Sequence, residues 1–267
     1  MPYVNTNGIQ VSYERSGHGE PVLLIMGSAA AGHVWTVNQT PALNAAGYET
    51  VTFDNRGAGN SDAPDGKYSL ADLVADTRGL VEALDLAPCR VVGASMGAMV
   101  AQQLALESPE LVRSAVLIAT RSRSDAVRRA WSAADRTLLE SGVELPPRYA
   151  ALRSVVEMLS PRTLNDDAKA AMWLEIFELS GGSSEKSGGQ TWVNTDEDRR
   201  ESLRGIEVPC RVIAFTDDLI TPPHLAAEVA DAIPDCDYVE VPDCGHMGYL
   251  ESPETVNSAI IEFLDKH

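Results

Sequence analysis

The chain has 267 residues, with 21 lysines and arginines against 39 aspartates and glutamates, and therefore a formal net charge of −18. This length suits one large domain or two small ones with a buried core, and 22 % charged with 44 % apolar residues is ordinary for a globular protein. The negative charge repels phosphate backbones and anionic lipid headgroups, so it argues against nucleic acid or a membrane surface as the main partner.

The cysteines and the first residues bear on the compartment. The cysteines are Cys89, Cys210, Cys236 and Cys244. They form neither a CxxC pair nor a Cys/His group at metal-ligand spacing, so we expect reduced thiols and no bound metal. Residues 1–5 lack the basic and apolar blocks of a signal peptide, and the longest strongly apolar run, residues 22–26, is too short to span a bilayer. These features predict a cytoplasmic protein.

Strands and helices alternate along most of the chain. A hairpin is predicted first, because Asn7-Gly8 favours a type I′ turn and the following apolar residues alternate with polar ones. Short apolar runs, typical of strands buried on both faces, cover residues 22–26, 50–53, 90–92, 115–118, 211–215 and 238–241. Helical patterns cover residues 70–84, 96–107, 223–233 and 253–264. The alternation predicts crossover connections and a mostly parallel sheet, so the fold class is α/β.

The alternation stops between residues 121 and 205. Helical patterns follow one another there without an intervening strand, over residues 125–140, 150–159 and 165–179. Residues 180–189 are then rich enough in glycine and serine to predict a mobile loop. We interpret residues 121–205 as a helical insertion, rather than an independent domain, in a core formed by residues 1–120 and 206–267.

The acidity is unevenly divided between the insertion and the core. Residues 121–205 carry 13 basic and 14 acidic residues, whereas the rest of the chain carries 8 basic and 25 acidic residues. Solvated helix faces account for this division. A sharper hypothesis is that arginines of the insertion attract an anionic substrate or dock the insertion on the acidic core, and it predicts binding that weakens with added salt.

The strongest chemical signal is the sequence Gly-Ala-Ser-Met-Gly at residues 93–97, directly after a predicted buried strand and directly before a predicted helix. The G-x-S-x-G pattern needs that context, because a sharp strand-to-helix turn lifts the serine hydroxyl out of the sheet. The glycines avoid crowding in the strained turn, and the helix N-terminus supplies partial positive charge where an oxyanion forms. Ser95 is therefore the candidate nucleophile.

A nucleophilic serine needs a base, and the base needs an orienting carboxylate. Of the five histidines, His246 alone follows a C-terminal predicted strand and precedes a final amphipathic helix, so it is the candidate base. The carboxylate is expected at the end of the strand predicted at residues 211–215, where Asp217 and Asp218 stand side by side. The residues themselves leave both aspartates open.

These motifs resemble those of the α/β-hydrolase superfamily, in its serine-nucleophile group of capped esterases, C–C hydrolases and haloperoxidase-like enzymes. The resemblance covers nearly the whole chain outside the insertion, through residues 53–61, 93–97, 216–222 and 245–247. It implies an eight-stranded, mostly parallel sheet flanked by helices, with residues 121–205 as a helical cap. It also points to Asp218 as the acid, four residues before a proline, with Asp217 as the fallback.

The resemblance further implies an oxyanion hole made of backbone N–H groups. One belongs to the residue after the nucleophile, Met96, and the other to the loop at residues 26–35, where we predict the N–H of Ser28. Relatives often have His-Gly at positions 26–27, and this chain has Met-Gly, a change that a backbone donor tolerates. The role of the Ser28 hydroxyl stays open, and the motif at residues 54–61 is interpreted as structural.

The sequence favours a serine hydrolase that cleaves a carboxylic ester of a small or medium hydrophobic metabolite through an acyl-enzyme. In this superfamily lactonases, thioesterases, C–C bond hydrolases, haloperoxidase-like enzymes and acyl-transfer cyclases share the motifs, and a noncatalytic ligand-binding protein is the alternative of another class. Serine in the turn argues against epoxide hydrolases and dehalogenases, which place aspartate there. The chain has no G-x-G-x-x-G turn or P-loop, so we expect no cofactor and a small-molecule partner; homo-oligomerisation stays open.

Overall fold

A computed structural model describes residues 1–180, 185–193 and 196–267. In these ranges one sheet contains eight strands: β1 (Tyr3–Thr6), β2 (Ile9–Gly17), β3 (Pro21–Ile25), β4 (Glu49–Phe53), β5 (Cys89–Ala94), β6 (Val112–Ile118), β7 (Cys210–Phe215) and β8 (Cys236–Val241). Their spatial order is β1-β2-β4-β3-β5-β6-β7-β8. The β1–β2 and β2–β4 pairs are antiparallel and all others are parallel. The predicted α/β class, with an eight-stranded and mostly parallel sheet, is confirmed.

Helices occupy the connections between the strands. The α-helices are α1 (Gln39–Ala45), α2 (Leu70–Ala83), α3 (Met96–Glu107), α4 (Ala126–Ser141), α5 (Pro147–Met158), α6 (Pro161–Leu164), α7 (Asp167–Leu179), α8 (Arg200–Leu203), α9 (Pro223–Ala232), α10 (Gly248–Glu251) and α11 (Pro253–Leu264). In the part of the chain that the structure describes, three 3₁₀ helices cover Gly32–Val37, Pro109–Leu111 and Glu185–Trp192. No helix of the described residues is long and apolar enough to cross a membrane.

The sheet separates two hydrophobic clusters, because successive side chains of a strand point to opposite faces. On β5, Val91 belongs to the cluster formed with α2, α3 and α9, whereas its neighbour Val92 belongs to the cluster formed with α1 and α11. Both side chains are completely buried. The central strands are therefore apolar at consecutive positions, and their carboxyl ends meet at one edge of the sheet, where the loops that follow them converge.

Between β6 and β7 the described residues form helices and no strand, as the sequence predicts. The loop predicted at residues 180–189 is wrong over residues 185–189, which belong to the 3₁₀ helix Glu185–Trp192; residues 181–184 lie outside the described residues. That helix packs on the core, where the N–H of Tyr68 donates to the carbonyl of Gly189 at 3.0 Å. A contact with a distant part of the chain thus holds a segment whose own composition is typical of a loop.

Candidate active site

Ser95 occupies the sharp turn between β5 and α3. Its backbone has φ +54° and ψ −119°, in the positive-φ region that is costly for a residue with a side chain. A Cβ at Gly93 would lie 2.4 Å from the carbonyl oxygen of Gly97, and a Cβ at Gly97 would lie 2.1 Å from that of Ile25. Both positions of the predicted motif therefore require glycine, and the turn presents the Ser95 hydroxyl above the sheet.

Ser95, His246 and Asp218 form one chain of hydrogen bonds. The Ser95 Oγ atom lies 2.9 Å from His246 Nε2, and His246 Nδ1 lies 2.8 Å from Asp218 Oδ2. The histidine follows β8 and the aspartate follows β7, two strands that end at the same edge of the sheet as β5. His246 is 6 % exposed and Asp218 is 2 % exposed, whereas Ser95 is half-buried. The bond between His246 and Asp218 is therefore closed to solvent, and the Ser95 end of the chain is partly accessible.

Asp218 is fixed by the loop that carries it. The N–H groups of Ile220 and Thr221 donate to Oδ1 at 2.7 and 2.8 Å, and the Thr221 hydroxyl donates to Oδ2 at 2.6 Å. Burial alone raises the pKa of this carboxyl, but the charge of His246 and the hydrogen bonds from His246 and Thr221 outweigh burial and lower that pKa below its ordinary value. The carboxylate is thus ionised at neutral pH and holds the imidazole in one orientation.

Asp217, the alternative acid, has a different environment. It is half-buried, its N–H donates to the carbonyl of Cys244 at 2.9 Å, and burial together with the charges of Asp243 and Glu251 raises the pKa of its carboxyl. A raised pKa is typical of a carboxyl next to other negative charges. The geometry brings Asp218, rather than Asp217, to the imidazole.

Ser28 and Met96, the two residues predicted to supply the oxyanion donors, are in side-chain contact. Met96 is the first residue of α3, and the first N–H groups of a helix have no carbonyl acceptor within the helix. The Ser28 hydroxyl contacts the Met96 sulfur at 3.2 Å. A Cβ at Gly27 would lie 3.1 Å from the Cβ of Ser95, so the backbone just before Ser28 passes directly against the nucleophile.

Side chains from elsewhere hold the loop that contains Ser28, which we call the β3 loop (residues 26–32). Asn55 Nδ2 donates to the Met26 carbonyl at 2.9 Å, and the Gly32 N–H donates to Asp54 Oδ1 at 2.7 Å. The motif at residues 54–61, interpreted from sequence as structural, therefore fixes both ends of this loop. Gln190, which the sequence analysis missed, binds the middle of it.

Glu251 is a second residue that the sequence analysis missed. Its Oε2 accepts the N–H of Gly245, next to His246, at 2.6 Å. Its Oε1 accepts the N–H and the hydroxyl of Ser160 at 3.0 and 2.7 Å and the hydroxyl of Thr163 at 2.5 Å. One carboxylate thus joins the loop that carries the histidine to the insertion.

Known proteins are similar to this chain over nearly its whole length. The family model described as alpha/beta hydrolase fold matches residues 20–253. A Mycobacterium tuberculosis protein provisionally named non-heme bromoperoxidase BpoC is 44 % identical over 256 residues, 96 % of this chain and 97 % of that protein. Its crystal structure has a TM-score of 0.92 over 96 % of both chains.

Two further relatives have different printed activities. An Azorhizobium caulinodans protein provisionally named carbamate hydrolase RutD is 29 % identical over 98 % of both chains. A thermophilic esterase from Thermogutta terrifontis, solved with malate bound, is 25 % identical with a TM-score of 0.85 over 99 % of this chain and 98 % of that chain. Relatives that match this chain over nearly its whole length therefore bear three different names, so membership of the family does not select among their reactions.

Proposed function

We propose that this chain, which belongs to the α/β-hydrolase fold family, is a serine hydrolase that cleaves a carboxylic ester of a small or medium hydrophobic metabolite. The observation that carries the proposal is the continuous hydrogen-bonded chain from Ser95 through His246 to Asp218, with distances of 2.9 and 2.8 Å. Nucleophile, base and orienting acid in this geometry are the parts that acyl transfer requires.

The reaction proceeds through an acyl-enzyme. Ser95 Oγ attacks the carbonyl carbon of the ester while His246 Nε2 takes the hydroxyl proton, and the Asp218 carboxylate stabilises the resulting imidazolium. The N–H groups of Met96 and Ser28 bind the oxyanion of the tetrahedral intermediate. When this intermediate collapses, the imidazolium gives its proton to the departing alcohol. Water, deprotonated by His246, then attacks the acyl-enzyme, releases the carboxylic acid and restores the Ser95 hydroxyl.

Residues 121–205 act in this proposal as a cap that selects the substrate. Two contacts described above support this role: Glu251 joins Ser160 of the insertion to the loop of His246, and Gln190 of the insertion binds the β3 loop. A segment bound to both loops around the nucleophile is well placed to decide which acyl groups reach Ser95.

Covalent labelling with a fluorophosphonate tests the nucleophile directly. Ser95→Ala is expected to abolish labelling and to lower kcat for p-nitrophenyl esters by more than about 10⁴-fold, because the attacking oxygen is gone. Ser141→Ala, at an exposed serine of α4, is the matched control and should label like the unmodified protein. Undiminished labelling of Ser95→Ala would overturn the proposal.

A panel of substrates tests whether the enzyme prefers esters to other compounds that can acylate a serine. Short- and medium-chain p-nitrophenyl esters should turn over faster than the corresponding thioesters, carbamates and C–C cleavage substrates. If a carbamate were preferred over every ester, the substrate class would be the one named for the Azorhizobium relative. The proposed roles of Ser95, His246 and Asp218 would stay the same. If the protein bound a ligand but showed neither labelling nor turnover of any substrate, a noncatalytic binding protein would be favoured instead.

Halide oxidation is a second candidate, because a relative of 44 % identity is named a bromoperoxidase. In this route a carboxylic acid acylates Ser95 with loss of water, and hydrogen peroxide then takes the place of water in the second step, so that the acyl-enzyme yields a peracid and free Ser95. The peracid then oxidises bromide to hypobromite and becomes the carboxylic acid again. Bromination of a dye should therefore need peroxide, bromide, a carboxylic acid and Ser95 together; bromination that persists in Ser95→Ala would contradict this route.

A further inference from the structure

Gln190 bridges the insertion to two loops of the core. It lies in the 3₁₀ helix Glu185–Trp192 and its side chain is 4 % exposed. Its Oε1 accepts the N–H of Ala29 at 2.7 Å, and its Nε2 donates to the carbonyl of Arg56 at 2.7 Å. Both ends of the amide are thus used, which fixes the orientation of the group at the middle of the β3 loop.

The residue that Gln190 binds has a strained backbone. Ala29 has φ +60°, in the left-handed region that is unfavourable for an L-residue with a Cβ. The hydrogen bond to Gln190 holds the N–H of Ala29 in that conformation. Because this N–H lies in the peptide plane that directly follows Ser28, the bond also restricts the backbone of Ser28.

Among the described residues, three side chains bind the backbone of the β3 loop, each at a different position. Asn55 binds the first carbonyl of the loop, at Met26, and Asp54 binds its last N–H, at Gly32. Both come from the core, whereas Gln190 reaches the middle of the loop from the insertion. The backbone beside Ser28 therefore takes its position from a residue 161 positions away along the chain.

We propose that Gln190 is a positioning residue for the oxyanion hole, which holds the β3 loop so that the N–H of Ser28 faces the oxyanion formed at Ser95. In that case the insertion helps to position the oxyanion hole, in addition to its proposed role as a cap. This inference rests on the proposed serine hydrolysis. It assigns Gln190 no contact with the substrate; the side chain acts through the backbone at Ala29.

Gln190→Met and Gln190→Ala test the inference together. Methionine conserves the volume of the side chain but removes both hydrogen bonds, while alanine also leaves a cavity. Both variants should lower kcat for a p-nitrophenyl ester by about 10- to 100-fold, because a donor displaced by a fraction of an ångström stabilises the oxyanion less. KM should change by less than about 2-fold. A trifluoromethyl ketone, which forms a tetrahedral adduct with Ser95, should bind more weakly by the same factor as kcat falls.

Lys186→Met is the matched control from the same 3₁₀ helix. Lys186 Nζ donates to the carbonyl of Gly59 at 2.7 Å, so this variant removes a bond between the helix and the core without touching the β3 loop, and its kcat should stay within about 2-fold. An equal fall of kcat in Lys186→Met would assign the effect to docking of the helix and overturn the role of Gln190.

The remaining outcomes separate the inference from the proposed function. Full kcat and ketone affinity in Gln190→Met, with Ser95→Ala inactive, would overturn the inference and leave serine hydrolysis intact. Activity retained in Ser95→Ala would overturn serine hydrolysis itself. A fall of kcat in Gln190→Ala with none in Gln190→Met would show that filling the space matters and the hydrogen bonds do not, which also contradicts positioning.

Discussion

The core and the insertion are stabilised by different interactions. In the core, α3 and α11 bury apolar side chains against the sheet, whereas α4 and α7 of the insertion, both fully described, contain no buried residue. Of the 13 large apolar side chains exposed in the described residues, 9 lie between residues 121 and 205. The insertion therefore depends much less than the core on burial of apolar surface.

Polar contacts at its two ends hold the insertion on the core instead. Arg121 donates to the carbonyl of Ile220 at 3.0 Å, and Arg199 donates to Gln102 at 2.9 Å. Arg123 forms an ion pair with Glu228 at 2.6 Å. The charge division seen in the sequence thus corresponds in part to docking of basic side chains on the core, and attraction of an anionic substrate stays a prediction.

This difference predicts where single substitutions act. Apolar packing in the core is shared among many side chains, so the proposed triad lies on a rigid base. The insertion binds the two loops beside Ser95 through Gln190, Glu251 and the N–H of Met247, which donates to the carbonyl of Met158. We therefore expect the loss of one such bond to displace a loop. Effects on activity and stability are therefore expected to decrease from the proposed triad in the core to the surface contacts of the insertion.

The largest effect is expected at the acid of the proposed triad. Asp218→Asn should lower kcat by about 10⁴-fold, because the amide no longer stabilises the imidazolium and favours the wrong tautomer of His246. The measurement is ester turnover at neutral pH. Asp217→Asn is the matched control one residue away and should stay within a few-fold of the unmodified protein. Equal losses in the two variants would contradict the assignment of the acid to Asp218.

The next largest effect is expected at Glu251, which joins the core to the insertion. Glu251→Ala removes the acceptor of the bonds from Gly245, Ser160 and Thr163, and donors left partly buried without partners should lower the free energy of unfolding by about 2–3 kcal/mol. Urea unfolding at neutral pH measures this loss. Glu140→Ala, at an exposed glutamate of α4, should change stability by less than about 0.5 kcal/mol. If Glu251→Ala also lowered the free energy of unfolding by less than about 0.5 kcal/mol, this carboxylate would not hold the insertion on the core.

A smaller, pH-dependent effect is expected at Thr221. Thr221→Val keeps the shape of the side chain and removes the hydroxyl bond to Asp218 at 2.6 Å, at a cost of about 1.5 kcal/mol at pH 7. The folded-state pKa of Asp218 is lowered, so its stabilising contribution is complete above the unfolded pKa of about 3.9 and disappears as the pH falls through the folded pKa. The difference from the unmodified protein should therefore shrink below about pH 4.

Unfolding at several pH values, with Thr221→Ser as the control that retains a hydroxyl, measures this dependence. Thr221→Ser should lie close to the unmodified protein throughout the range. A difference for Thr221→Val that is constant from pH 7 to below about pH 4 would mean that packing, rather than the carboxylate, is affected.

The parts of the site that sequence predicts are those with a local signature. The bounds predicted for the helices at residues 96–107 and 253–264 agree with α3 and α11, because a start signal directly precedes or opens each one: Ser95 for α3 and Ser252-Pro253 for α11. Helices of four residues such as α6 and α10 are too short to show a period. The residue types alone left Asp217 and Asp218 equivalent, since only their directions in the folded loop distinguish them.

The two missed residues have no local signature at all. Gln190 binds a residue 161 positions away, and Glu251 binds one 91 positions away. Their roles depend on contacts between the insertion and the two loops around Ser95. The residue spacing within their own segments does not reveal such contacts. The glycine- and serine-rich composition before Gln190 even favoured a loop over the observed 3₁₀ helix.

The smallest effect is expected at the surface contact between Arg123 and Glu228. The guanidinium makes two hydrogen bonds to the carboxylate, at 2.8 and 2.6 Å, and these bonds lower the pKa of Glu228. Because the two side chains are 29 % and 23 % exposed, Arg123→Met should cost about 0.5 kcal/mol at low salt and almost nothing at 1 M salt. Arg148→Met removes a pair inside the insertion whose arginine is 90 % exposed, and it should be neutral at both salt concentrations. A loss for Arg123→Met that persists at high salt would assign the docking of the insertion to packing rather than charge.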